Sequence, residues 1–300
     1  MKNKNSVAII GAGPLGRALE KILNEAGVKL LIWDIDQSKM MESRTLPETV
    51  KSAEIIFLCV PSSSLRKAAE EVSLYSPKDA IIVSLSKGLE TDSKKTMSEL
   101  LHLCVGLRNC AIVSGPMLAS EIMKGEQSFG ILATSNKPAF KKIARLFANS
   151  SLHLSYSRDL TGVALAGVLK NVYAIAFGMV RGLGMGDNVR GWLVTSAVSE
   201  MSNIIELLGG NKKTAYTIAG IGDLIATGMS PNSRNHSFGF EIATKSGSDI
   251  ISEGLVSLPP LRELIQDKKG NFLIFEAVYQ IVINHKDPKS ALIEVIKVLK

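Results

Sequence analysis

Val7 to Gly16, VAIIGAGPLG, is the stretch whose reading decides the fold. Four apolar residues, Val7 to Ile10, run straight into glycines at 11, 13 and 16, and a helical pattern follows from Arg17 to Ala26. Strand, glycine turn and helix in that order make a dinucleotide site. Gly11 permits the tight turn, Gly13 lets a pyrophosphate approach the backbone, Gly16 lets helix and strand pack closely, and the helix N-terminus faces the phosphates. Pro14 suits the entry to a helix. With Leu15 it completes the candidate cofactor-binding segment Gly11, Gly13, Pro14, Leu15 and Gly16.

Outward from this turn, Val28 to Trp33 forms a second strand ending in Asp34. An acid there hydrogen-bonds the adenosine ribose hydroxyls and repels a 2′-phosphate, and no lysine or arginine follows until Lys39, so NAD is favoured over NADP. The alternative is a strand-end Asp that caps a turn. Further strands at Glu54 to Val60, Ala80 to Ser84 and Ala111 to Ser114 alternate with helical segments at Ser64 to Leu74 and Ser93 to Leu103. That alternation predicts a parallel, doubly wound, Rossmann-like α/β sheet. Phe129 to Thr134 and Leu152 to Tyr156 add β-rich segments around a helix of Ala139 to Asn149. Polar loops follow the strands at the carboxyl edge, where ligands bind in such sheets: PSSS at 61–64, SKGLE at 86–90 and SGPMLASE at 114–121. Lys87, beside Gly88, is placed to reach an anion or a carbonyl oxygen; a plain surface lysine is the other reading.

After Arg158 the pattern turns helical, which predicts an all-α domain over 159–300 behind a dinucleotide-binding domain over 1–158. Segments are expected at Asn188 to Leu208, Lys212 to Ile218, Arg234 to Lys245, Pro260 to Gln266, Phe272 to Asn284 and Pro288 to Leu299. Gly209, Gly210 and Gly270 read as helix stops, and Pro259 with Pro260 as a break and restart. The opening helix and glycine-rich turn, Leu160 to Gly186, are apolar on nearly every face and interrupted by Lys170, Asn171 and Arg181. A lysine in low dielectric either sends its head to water or loses proton affinity until it exchanges protons near neutral pH. AGIGDLIATG at 219–228 sets Asp223 and Thr227 one helical turn apart, and a buried carboxylate there needs a partner such as Lys170. In SPNSRNHSFG at 230–239, Ser233 is an N-cap candidate with Arg234 and Asn235 in the first turn, which suits a phosphate or simply a capped surface helix.

Composition narrows the function classes. The apolar fraction of 46% in 300 residues is enough for two cores, and the net charge of +7 reads mainly as a solvated basic surface. No dense Lys/Arg run interleaved with aromatics is present, which argues against a nucleic-acid groove. Cys59, Cys104 and Cys110 have no CxxC spacing and His102, His153, His236 and His285 form no HxxxH pair, so neither a disulfide framework nor a metal site is expected. A reducing cytoplasm fits. Lys170 and Arg181 leave no uncharged span of ~18 residues, so Leu160 to Gly186 is expected in a core and not in a membrane. The basic start MKNKNS meets GAGPLG too soon for a secretory h-region or an anchor.

Together these segments resemble the NAD(P)-dependent glycerol-3-phosphate dehydrogenases of the bacterial type. The match runs through GAGPLG, VPSSSLR, SKGLE, SGPMLASE, LKNVYAIAFGMVRGLGMGDN, GIGDLIATGMSPNSRNHSFG, SEG at 252–254 and FEAVYQIV at 275–282. The resemblance implies a cytoplasmic, homodimeric two-domain enzyme that interconverts dihydroxyacetone phosphate and sn-glycerol 3-phosphate and feeds glycerophospholipid synthesis. It implies Lys170 as general acid/base within a catalytic set completed by Lys87, Asp223 and Thr227. Lys87, Gly115, Met117, Asp223, Ser233, Arg234 and Asn235 match substrate positions, and Lys87, Ala119, Arg234, Ile251 and Glu253 match cofactor contacts. Four departures stand out. Met117 replaces a usual Ser or Thr, Ser196 a common arginine, Pro14 and Leu15 a usual Ser and an aromatic, and Asp34 a small or basic residue. Two other readings follow: a related 3-hydroxyacid or 2-dehydropantoate reductase acting on a carboxylate, and a catalytically silent NAD-binding sensor, which Met117 motivates and Lys170 and Arg234 oppose.

Overall fold

The computed structural model describes residues 6–105, 110–245, 247–268 and 270–298; the basic start and Leu299 thus lie largely or wholly outside them. Seven strands form one sheet: β1 (Val7–Ile10), β2 (Leu30–Trp33), β3 (Ile55–Leu58), β4 (Ile81–Ser84), β5 (Cys110–Ser114), β6 (Ser128–Ala133) and β7 (Leu152–Ser157). Their order is β2-β1-β3-β4-β5-β6-β7. Side chains alternate between faces as pleating requires. Val7 and Ile9 of β1 join one apolar cluster and Ala8 and Ile10 another. Helices cover both faces: α1 (Pro14–Glu25), α2 (Leu46–Val50), α3 (Leu65–Tyr75), α4 (Met97–Val105), α5 (Ala119–Ile122) and α6 (Lys137–Ala144). The chain leaves β1 toward β2 on one side and returns to β3 on the other, so a crevice opens at the carboxyl ends of β1 and β3.

The parallel expectation needs one correction, because β6 runs antiparallel to β5 while β7 runs parallel to β6. A parallel return needs a crossover spanning the sheet, and the β5–β6 connection contains only the four-residue α5. The strand therefore comes straight back. The sequence reading also passed over α2, whose start is a capping box: Thr45 N–H donates to Glu48 Oε2 at 2.8 Å, and Glu48 N–H to Thr45 Oγ1.

Arg158 and Asp159 separate β7 from α7 (Leu160–Gly182), and Asp159 caps that helix by accepting from Gly162 N–H at 2.9 Å. Every residue of α7 from Gly162 to Val180 is buried. By length and composition it is apolar enough to cross a membrane, but its apolar window is wholly enclosed by protein. The enclosing helices are α8 (Asp187–Leu207), α9 (Asp223–Gly228), α10 (Arg234–Lys245), α11 (Glu253–Ile265), α12 (Leu273–Val282) and α13 (Pro288–Val298). α7 and α10 touch backbone to backbone. A Cβ on Gly178 would lie 2.0 Å from the His236 carbonyl oxygen, and one on Gly239 2.0 Å from that of Ile175. This contact holds the SRN segment against the Lys170 helix.

The expected break at Pro259 and Pro260 does not occur. α11 begins at Glu253, capped by the Ser252 hydroxyl, and continues through both prolines to Ile265. Each proline withdraws one backbone donor, but buried Leu258, Pro260 and Leu261 seat this stretch in the helical core. Packing outweighs the two missing hydrogen bonds.

Candidate active site

The crevice side of the site is built by the glycine turn. Gly11 has a φ of +104°, and a Cβ there would sit 2.5 Å from the Cys59 carbonyl oxygen at the end of β3. A Cβ on Gly16 would be 1.9 Å from the Gly11 carbonyl oxygen, whereas one on Gly13 would meet nothing within 4 Å. Gly11 and Gly16 are thus required by the protein itself, and Gly13 faces open space. Gly13 is also the N-cap of α1 and offers no side chain to its first turn, where Pro14 has no N–H of its own. The N–H groups of that turn are left for an anion. Asp34, at the end of β2, accepts from Ala12 N–H at 2.7 Å and from Asp36 N–H at 2.9 Å. The alternative reading of Asp34 as a turn cap is therefore realised, and Asp34 also lines a cavity of about 540 Å³ beside Gly11, Gly13 and Trp33. These residues fit a dinucleotide: an uncapped helix end and a cradle without side chains for the pyrophosphate, an anchored carboxylate for the ribose.

The chemical centre lies where the sheet edge meets α7 and α9. Lys170 is 7% exposed; its Nζ donates to Thr227 Oγ1 at 2.8 Å and stands 3.2 Å from Asp223 Oδ1. Thr227 Oγ1 in turn donates to Asp223 Oδ1 at 3.1 Å. Lys87 Nζ reaches the other carboxylate oxygen, Oδ2, at 2.7 Å and the Gly115 carbonyl at 2.9 Å. One carboxylate therefore holds two ammonium groups. Burial lowers the Lys170 pKa, as does the neighbouring Lys87, and although Asp223 pulls it back it settles at about 8. For Asp223 burial works upward, but the fields and hydrogen bonds of Lys170 and Lys87 outweigh it and hold the carboxyl below its usual range. Asp223 follows a π-helical turn, Ile218–Gly222, in which Gly220 lies so close to Ala215 that a Cβ would be 2.1 Å from its carbonyl oxygen. Such wide turns re-aim the next residue.

The remaining candidates divide. Ser233 is buried, and its hydroxyl accepts from His236 N–H at the start of α10. Asn235 is buried, with each end of its amide in one hydrogen bond: Nδ2 donates to Asn171 Oδ1 at 2.9 Å, and Oδ1 accepts from Gly254 N–H at 2.8 Å. Asn171 Nδ2 continues the chain to the Lys87 carbonyl at 3.3 Å. Asn235 is thus a strut joining α10, α7, α11 and the Lys87 loop. Arg234 is exposed. Glu253 reaches across to the loop after β3, accepting from Ser62 N–H at 3.1 Å and from the Ser62 hydroxyl. Ile251 is 68% exposed. Met117 packs, with Ala119, against the apolar cluster under β5 and β6. The sequence reading noted Asn171 and the 61–64 loop without giving Asn171 or Ser62 a role, and it passed over the pair Tyr173–Glu200. Asn171 and Tyr173 carried a signal, as polar groups in an apolar helix; Ser62 stood out only as part of a polar loop, since its partner Glu253 is 191 residues away.

A crevice at the β1–β3 switch point, with a Lys–Asp–Lys centre beside it in which Lys170 and Asp223 are buried, defines a pyridine-nucleotide-linked oxidoreductase. Two descriptions of one family match the chain, NAD-dependent glycerol-3-phosphate dehydrogenase N-terminus over residues 37–140 and C-terminus over residues 159–293. The glycerol-3-phosphate dehydrogenase [NAD(P)+] of Moorella thermoacetica is 30% identical, with 94% of this chain and 93% of that protein covered. The chain belongs to the NAD-dependent glycerol-3-phosphate dehydrogenase family. Among solved structures, the glycerol-3-phosphate dehydrogenase of Coxiella burnetii superposes with a TM-score of 0.90 at 25% identity, covering 98% of this chain and 99% of that one. A ketopantoate reductase from Ralstonia eutropha shares the fold at a TM-score of 0.61 and 16% identity, covering 97% of this chain and 99% of that one.

Proposed function

We propose that this enzyme reduces dihydroxyacetone phosphate to sn-glycerol 3-phosphate and catalyses the reverse oxidation, using NADH in preference to NADPH. The observation that carries the reading is the Lys170–Asp223–Lys87 centre, in a chain whose curated relatives are named for this activity. A nicotinamide bound in the crevice supplies the hydride chemistry. Gly13 and the first turn of α1 hold the pyrophosphate, and Asp34 the adenosine ribose. Lys170, with a pKa of about 8, carries a proton for the ketone oxygen in reduction and accepts one from the hydroxyl in oxidation. Asp223 keeps the ammonium in place, and Thr227 fixes its direction. Lys87 stabilises the developing oxyanion. Burial of the centre excludes water and strengthens each of these interactions.

For the phosphate we propose Arg234 with the N-terminus of α10, whose cap Ser233 is in place and whose guanidinium is exposed and free to engage an anion. Asn235 then serves by bracing Asn171 beside Lys170, and Gly115 by presenting its carbonyl to Lys87. Ala119, Ile251 and Glu253 are read as cofactor neighbours. Met117, turned into the apolar cluster, leaves the substrate class unchanged. Residues 1–158 and 159–300 act in this reading as cofactor and substrate domains. A cytoplasmic homodimer feeding glycerophospholipid synthesis completes it; the three free cysteines suit a reducing compartment.

The test compares NADH oxidation with dihydroxyacetone phosphate, unphosphorylated dihydroxyacetone and 2-dehydropantoate. The phosphorylated ketone is expected to exceed both in kcat/KM by at least about 100-fold, because phosphate binding energy orients the carbonyl. Comparable rates with 2-dehydropantoate would favour the carboxylate reductase reading. NADH binding without turnover on any of the three would favour the sensor.

A further inference from the structure

The cofactor crevice holds a charge arrangement that the glycine turn and Asp34 do not account for. Lys39 ends a short helical turn after β2 (Gln37–Lys39) and lines the same cavity as Gly13, Asp34 and Ile35. Its ammonium stands 3.8 Å from Asp34 Oδ1 and 3.3 Å from Asp36 Oδ2, and its side chain is 47% exposed. The turn is pinned on three sides. Asp36 caps it at Ser38, Gln37 Nε2 donates to the Asp34 carbonyl at 2.7 Å, and the Arg17 guanidinium from α1 donates to the Lys39 carbonyl. Both Asp34 oxygens are meanwhile held by backbone N–H groups. The carboxylate is therefore fixed, and the lysine is a long, half-exposed cation on a rigid base beside it.

We propose that Lys39 is a second specificity-determining residue of the cofactor site, acting against Asp34 and resting on the NADH preference argued above. It offsets the charge of Asp34 and Asp36, so that a 2′-phosphate is disfavoured but not excluded. Among the described residues it is the one cation paired with either carboxylate. A 2′-phosphate at this end of the crevice meets two carboxylates and the Lys39 ammonium; without Lys39 neither carboxylate keeps a paired cation among the described residues, the Arg17 guanidinium being engaged with the Lys39 carbonyl. The ribose hydroxyls of NADH are neutral and gain little from the lysine. Lys39 therefore acts on one cofactor and not on the other. Lys67, on the opposite lip, lies 4.0 Å from Glu71 and is 73% exposed, so it contributes to the general field and not to this choice.

The experiment is equilibrium binding of NADH and NADPH, read by quenching of tryptophan fluorescence, since Trp33 lines the same cavity. The parent, Lys39→Gln and Lys67→Gln are compared at two ionic strengths, with circular dichroism as the folding control. Lys39→Gln is expected to weaken NADPH about tenfold, to leave NADH within about twofold, and to flatten the salt dependence of NADPH binding. Lys67→Gln is expected to move both cofactors together, by less than about threefold. Equal effects of Lys39→Gln on the two cofactors, no effect on NADPH, or the same selective loss in Lys67→Gln would overturn the assignment. The NADH preference itself is read from the parent alone, where NADPH binding at least as tightly as NADH would refute it whatever the variants show.

Discussion

Asp223→Asn isolates the feature on which the proposed chemistry depends, a single buried carboxylate holding two ammonium groups, that of buried Lys170 and that of partly buried Lys87. Lys170 sits 3.2 Å from Asp223 Oδ1, and its pKa is about 8 with that carboxylate present. Two unit charges at this separation attract by ~5 kcal/mol at an effective dielectric constant of ~20. An amide keeps a dipole in place and admits some solvent, so about half of this is lost, or ~2 pK units at 1.36 kcal/mol each. The Lys170 pKa then falls to ~6, because Lys87 still repels the ammonium and burial still disfavours it. At about pH 7.5 the protonated fraction drops from ~0.75 to ~0.03, and reduction, which needs the ammonium, slows ~25-fold. Lowering the pH toward ~6 restores much of the rate, because the fall in kcat/KM with rising pH now begins ~2 units earlier. The assay is kcat/KM for dihydroxyacetone phosphate from about pH 5.5 to about 9.5, in parent and variant, with circular dichroism to confirm the fold. A variant profile that overlays the parent, with rates within about threefold, refutes the coupling of Asp223 to Lys170.

Other consequences are narrower. Gly13→Ala, which places its Cβ in open space, is expected to change stability by less than ~0.5 kcal/mol yet weaken NADH binding at least about tenfold; Gly16→Ala, with its Cβ against the Gly11 carbonyl, is expected to lose the fold. Calorimetry with fluorescence titration separates the two. Glu200 is buried and accepts from the Tyr173 hydroxyl and from the N–H groups of Ile274 and Phe275 at the start of α12. Glu200→Ala is therefore expected to cost ~2–3 kcal/mol in denaturant unfolding by leaving those donors unpaired. Because folding lowers the Lys170 pKa from 10.5 to about 8, the unfolded chain binds the extra proton between those values. Parent stability should accordingly rise with pH across that window more steeply than that of Lys170→Met, as urea titrations at several pH values will show.

Local chemistry was legible in the sequence, and contacts between distant segments were not. VAIIGAGPLG was legible as strand, turn and helix because Gly11 and Gly16 answer to neighbours at the adjacent strand end and within the motif, while Gly13 leaves the helix end open. Lys170 stood out because an ammonium in an apolar helix is costly, and Asp223 because a carboxylate one turn from Thr227 among glycines needs a cation. The bond from Lys87 to Asp223 spans 136 residues and follows no periodicity. The reversal of β6 and the passage of α11 through Pro259 and Pro260 depend on connection length and core packing, which override local preference. Asn235 illustrates a subtler limit. SRN reads as an anion site, and nothing in that motif announces that the Asn235 amide also bonds to Asn171 and to the Gly254 N–H, from segments 64 and 19 residues away.

The central claim is that Lys170 transfers the proton in reduction of dihydroxyacetone phosphate. Lys170→Met keeps a similar volume in the buried helix without a proton to give, and the decisive measurement is its steady-state NADH oxidation with that substrate alongside its NADH dissociation constant. The account predicts a loss of at least about 100-fold in kcat with NADH affinity within about threefold of the parent. Retention of more than about a tenth of parental kcat would contradict it.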